Sequence, residues 1–132
     1  MVAFRSIRRP GVDESRLTAS DDWAHAEAAN SPGFVHYFKG PALADGSCMS
    51  FCLWTSRAEA RAASGRPAHI SAAALTHESY SDYRLEFHRV RRLAGDGGFA
   101  FEPYDALPDA TGSAATGDGA VPPPARMLVA PS

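Results

Sequence analysis

The sequence has no run of about eighteen apolar residues, the length that the hydrocarbon core of a bilayer demands of a spanning helix. A membrane span is excluded on that reading. Its first residues also lack the continuous apolar core of a secretory signal, so a cytoplasmic protein is expected. The formal net charge is only −2 over 132 residues, which leaves out the strong basic footprint of nucleic-acid or anionic-lipid binders. One local cluster, Arg5, Arg8 and Arg9, reads as a solvated strand end. Cysteine is scarce. Cys48 and Cys52 stand four apart in an apparent strand, on one face but roughly 13 Å apart along it, too far to pair. They read as two small buried hydrophobes. No two histidines lie at i,i+4 with a carboxylate between them, so no metal site is expected. Phosphate-cradling loops and serine-nucleophile elbows are missing too, and Gly95-Asp96-Gly97-Gly98 opens no helix and reads as a turn.

What is present centres on the stretch from Ser50 to Ala60, where a strand-like run ending in Trp54-Thr55-Ser56 passes straight into a helix start. Ser56 and Glu59 have capping-box spacing: the serine oxygen can accept from the N–H of Glu59 while the glutamate reaches back to the N–H of Ser56. Around this junction the residues predict a strand over 2–9, stopped by Pro10 and Gly11. A helix follows over 15–29, in which Ser20 can cap and Asp21 and Asp22 suit a first turn. Strands over 34–39 and 48–54 come next, then a helix over 57–64 ended by Gly65 and Pro67. A further helix is expected over 69–81, with Ile70, Ala73, Ala74, His77 and Tyr80 on its inward face. The last strand, 83–90, alternates Tyr83, Leu85 and Phe87 against Arg84, Glu86 and His88.

Beyond Leu93 the chain is mostly Gly, Ala, Pro, Asp, Ser and Thr, which bury too little apolar area to offset the entropy of ordering. The expected organisation is a domain over 1–93 and a tail over 94–132. That tail is expected to dock near 99–104 through Phe99, Phe101 and Tyr104 and to be mobile over 108–126.

The order of elements gives an α+β fold: a ferredoxin-like βαββαβ domain whose four-stranded antiparallel sheet carries helices on one face only. The other face needs a cover, and a second copy laid sheet against sheet is the economical one. A homodimer is expected.

Three motifs carry a family resemblance: Ser31-Pro32-Gly33-Phe34 leading into the second strand, Leu53-Trp54-Thr55-Ser56 before an acidic helix start, and Pro67-Ala68-His69 opening the next helix. Over residues 1 to about 92 the chain resembles the dimeric α+β barrel superfamily, and within it the antibiotic-biosynthesis monooxygenase-like and haem-degrading monooxygenase-like proteins. The resemblance implies a small barrel enzyme without a cofactor, acting on an aromatic or polyketide-like compound by proton abstraction and O₂ addition or rearrangement. Its alternatives are a haem-binding barrel and a non-catalytic small-ligand or dimerisation module. His69 sits near where the haem-degrading members place their axial histidine, so haem is the alternative cofactor, with His77 a second candidate ligand. Ala63 stands about where that group has a second tryptophan, and Arg5 and Ser6 occupy the neighbourhood of its strand-one asparagine.

If the helix-covered face is apolar, the third strand gives Met49, Phe51 and Leu53 to the helices and Cys48, Ser50, Cys52 and Trp54 to a cavity between two copies. The last strand adds Arg84, Glu86 and His88 to that cavity, and the second strand His36 and Phe38. Aromatic walls with few polar groups suit a flat organic ligand. A histidine can take a proton from an acidic phenol or enol near neutral pH, so His36 and His88 are the catalytic candidates, with Arg84 holding the anion. Phe38, Ser50, Cys52, Trp54, Glu86, His77 and Tyr80 are the substrate-binding candidates. Equally open is a structural role in which Arg84, Glu86 and His88 form a paired patch that fixes how two subunits meet.

Overall fold

The computed structural model describes residues 1–95 and 97–104, so the expected mobility of 108–126 lies outside the described residues. Its elements are β1 (Val2–Arg8), α1 (Glu14–Ala29), β2 (Phe34–Phe38), β3 (Ser47–Trp54), α2 (Arg57–Ser64), α3 (Pro67–Ala74), α4 (Thr76–Ser79), β4 (Tyr80–Arg92) and β5 (Phe99–Pro103). The strands form one sheet in the order β2-β3-β1-β4-β5, with every pairing antiparallel. The first four strands have the ferredoxin-like order. β5 adds to the β4 edge, opposite His88 to Arg92.

Local chemistry explains most boundaries. Asp13, rather than Ser20, caps α1 by accepting from the N–H of Arg16 at 2.9 Å. At α2 the serine oxygen accepts from the N–H of Glu59 at 3.2 Å, while the Glu59 carboxylate receives the hydroxyls of Thr55 and Ser56. The motif residue Gly33 meets this cap: its carbonyl accepts from Thr55 N–H at 2.8 Å, and it sits at φ +75° against the Glu59 carboxylate. Two of the three resemblance motifs thus pack on each other. The single helix expected over 69–81 is broken at Leu75 into α3 and the one-turn α4. Tyr80 then leaves the helix with extended backbone and begins β4.

Register fixes the faces. Val2, Phe4 and Ser6 of β1 lie opposite Cys52, Ser50 and Cys48 of β3 and opposite Phe87, Leu85 and Tyr83 of β4, so these residues share one face. α1 and α3 cover it. Two irregularities break the alternation of side chains. Between Phe34 and His36 the pairing with β3 skips Val35, and between Arg8 and Ile7 the pairing with β4 skips Ser81. Each bulge puts two aromatic residues three apart on the helix side: Phe34 with Tyr37, and Tyr80 with Tyr83.

The expected facing of β3 is overturned. Met49, Phe51 and Leu53 lie on the bare face, with Ala3 and Arg5 and with His36 and Phe38, whereas Cys48, Ser50 and Cys52 face the helices. The expectation assumed a filled apolar core under the helices, and that space is not filled. The buried hydrophobic residues are Ala3, Leu17, Ala24, Ala28, Cys52, Ala63 and Ala68, and no large side chain is fully buried.

Candidate functional site

Between sheet and helices lies an open-mouthed hollow of about 370 Å³, within the size range of small-molecule sites. Small residues on both walls make it: Ala24, Ala28, Ala72 and Ala73 from α1 and α3 face Cys48, Ser50 and Cys52 from β3. Side chains this short cannot close the gap between a helix layer and a sheet, so space remains where a core would be packed. Leu85, which faces this space, is 38% exposed.

His69 lines the hollow from the first turn of α3. No side chain of the neighbouring Arg66 caps that helix. Glu27 of α1 does so instead, accepting from the N–H groups of Ala68 at 3.2 Å and His69 at 3.3 Å. The same carboxylate lies 3.2 Å from Nδ1 of His69. A carboxylate can only accept, so the bond puts a proton on Nδ1, and in the neutral ring the lone pair then lies on Nε2. Burial works against the Glu27 charge, but the hydrogen bonds from His69, Ala68 and the His69 backbone, with Arg66 nearby, hold the carboxyl below its ordinary range.

Tyrosine hydroxyls and the Asp21–Lys39 pair supply further polar atoms. Tyr37 donates to Asp21 Oδ1 at 2.6 Å, and the other Asp21 oxygen lies 2.8 Å from Lys39 Nζ. Burial, then the Asp21 bond and charge, push the Tyr37 phenol far up. Tyr80 and Tyr83 stand side by side with ring centroids 5.3 Å apart. Both are pushed up chiefly by burial and remain neutral phenols. Burial also pushes the Cys52 thiol up to about 12, so it is no thiolate nucleophile at neutral pH.

The hollow brings together four of the residues singled out from sequence: Ser50, Cys52, His69 and Tyr80. Glu27, Tyr83 and the Tyr37–Asp21 pair were missed. Trp54 and His88 meet in a second, smaller hollow of about 270 Å³ at one end of the sheet. His36, Phe38, Arg84 and Glu86 are on the bare face, where Glu86 receives Arg5 at 3.0 Å and lies 3.3 Å from His88, and Arg84 pairs with Asp82 at 3.2 Å. The sheet therefore separates His36 and Arg84 from the helix-side hollow. His77 is exposed in α4 and lines neither hollow, because the break at Leu75 ends the inward stripe expected for it.

The family model described as PB2B2.08-like matches residues 1–103, nearly all of the described chain. The chain belongs to the PB2B2.08-like family. Its ferredoxin-like α+β fold is shared by solved structures of other proteins. Rv0793 from Mycobacterium tuberculosis is similar with a TM-score of 0.56 at 21% identity, covering 64% of this chain and 86% of its own. SnoaB, a cofactor-independent oxygenase from Streptomyces nogalater, is similar with a TM-score of 0.55 at 19% identity, covering 71% and 95%. At such identities the likeness speaks for fold. No curated protein matches by sequence.

For this PB2B2.08-like chain the haem alternative can be tested on the side chains present. Haem brings two carboxylates that need cations. The cationic side chains lining the hollow beside His69 are Arg8 and Lys39, and both already hold carboxylates, Glu14 and the Asp21–Asp22 pair. These residues do not fit haem. Among the described residues no group of three or more His, Cys, Asp or Glu could hold a metal ion, and no helix is long and apolar enough to cross a membrane.

Proposed function

We propose that the chain is a small cofactor-free, monooxygenase-like enzyme whose helix-side hollow binds a flat aromatic or polyketide-like compound bearing an acidic hydroxyl. One observation carries this reading: an imidazole, oriented by the Glu27 carboxylate, lines a hollow whose walls combine tyrosine and serine hydroxyls with small apolar groups, and whose Arg8 and Lys39 charges are already paired. His69 is the general base. Removing the hydroxyl proton leaves an electron-rich anion, which reacts with O₂ or rearranges. Support also comes from SnoaB, which shares the fold and is a cofactor-independent oxygenase.

The same reading moves the base from His36 and His88 to His69. It makes the bare face, with Phe38, Met49 and Phe51, the seat of a second copy rather than the reaction chamber. A homodimer with one hollow per subunit is the proposed assembly.

The test is O₂ uptake and product formation with a panel of hydroxylated tricyclic aromatics in chelator-treated buffer. Turnover is expected to fall at least about a hundredfold in His69→Gln, the usual scale of a lost general base, and to persist in His36→Ala. Turnover unchanged in His69→Gln would remove the histidine from the mechanism, and a Soret band on adding haem would favour the haem-binding alternative.

A further inference from the structure

We propose that Tyr80 and Tyr83 are catalytic residues of this hollow, their two phenol hydroxyls donating to the substrate oxygen that becomes an anion as His69 takes its proton. The inference rests on the reading of the hollow as the reaction site.

The strand architecture singles out this pair. Alternation along β4 would send residues 80 and 83 to opposite faces. The bulge at Ser81, anchored by its hydroxyl on the Ile7 carbonyl at 3.3 Å, brings both rings to the helix side. Among the described residues no hydrogen bond joins either hydroxyl to the protein, in contrast to Tyr37, whose hydroxyl is engaged by Asp21. A phenol set into a cavity wall without a partner is unfavourable unless water or a ligand meets it, and here two stand together.

Their surroundings keep both as donors. Burial raises both phenols, and Asp21 from α1 and the cysteines of β3 act in the same direction, Cys48 on Tyr80 and Cys52 on Tyr83. Glu14 of α1 adds to this at Tyr80, while Arg8 of β1 acts oppositely there.

In the proton-transfer step the substrate O–H bond breaks, the proton goes to Nε2 of His69, and the electron pair stays on oxygen. Hydrogen bonds from neutral donors strengthen as that charge appears, so the two phenols favour the anion over the bound neutral substrate. The ligand class this selects is an enol or phenol that enters hydroxyl first.

A coloured probe tests the assignment without turnover. A nitronaphthol, whose anion absorbs in the visible, is titrated with pH while bound to wild type, Tyr80→Phe and Tyr83→Phe. Each substitution is expected to raise the bound hydroxyl's pKa by about one unit, a tenfold shift in ionisation. The melting temperature should not drop, since the lost hydroxyl has no protein partner. Binding with an unshifted pKa in both variants would overturn the tyrosine pair and leave the hollow as the site. Failure of wild type to bind the probe would overturn the reading of the hollow and this inference with it.

Discussion

Glu27 serves three neighbours with one carboxylate: it closes the N-terminus of α3, fixes the tautomer of His69, and faces Arg66. Its carboxyl titrates below the ordinary value of 4.5 despite burial, because those donors favour the charge. A folded-state pKa below the unfolded one stabilises the protein fully above pH 4.5, and the contribution fades as pH falls through the folded value. Thermal melts between about pH 3 and 6 should therefore show wild type losing stability toward acid, with a shallower loss in Glu27→Gln; identical slopes would refute the linkage. His69 could be singled out from sequence through its place after Pro67-Ala68. Glu27 could not, because it stands 42 residues earlier and reads as an ordinary helix glutamate. Which side of the sheet holds the larger hollow is likewise invisible from the histidines alone: alternation groups His88 with Glu86 but does not say which face the helices cover.

At the scale of elements, short-range chemistry was readable and long-range facing was not. Helix α2 runs over 57–64 as its capping box and Gly65 demand. For β3 the alternation separates the two sets of residues but does not say which side each takes, and the layer that leaves a hollow carries Ser, Cys and Tyr where a packed core would carry Met and Phe. The bulges at Val35 and Ser81 escaped too, because an extra residue in a strand has no composition of its own.

The junction of β2, β3 and α2 gives a sharper test. Ser56→Ala removes the oxygen that receives the Glu59 N–H and should cost about 1 kcal/mol. Gly33→Ala should cost more. Its Cβ would meet the Glu59 carboxylate at 2.0 Å, in a backbone conformation at φ +75° that alanine resists. Urea midpoints of the two variants check the order, and a Gly33→Ala protein as stable as Ser56→Ala would contradict it.

For the whole molecule the unequal faces matter most. Helices shelter one side, while the other presents Ile7, Phe38 and Met49, each 40–42% exposed, around the Arg5–Glu86–His88 group. An apolar surface that also carries paired charges suits self-association, with the charges setting orientation. Wild type is expected to sediment as a dimer at micromolar concentration and Phe38→Asp as a monomer that still binds nitronaphthol, because the hollow lies across the sheet. A monomeric wild type would remove the second copy from the scheme.

The chain's only lysine is Lys39. It lines the helix-side hollow, its ammonium within 2.8 Å of Asp21 and 3.2 Å of Asp22, and although burial opposes the charge, the two aspartates keep it protonated. Lysine-selective acylation of this protein has a single side-chain address, beside the chamber. A dye attached there would report, from one known position, whether the chamber is empty or filled.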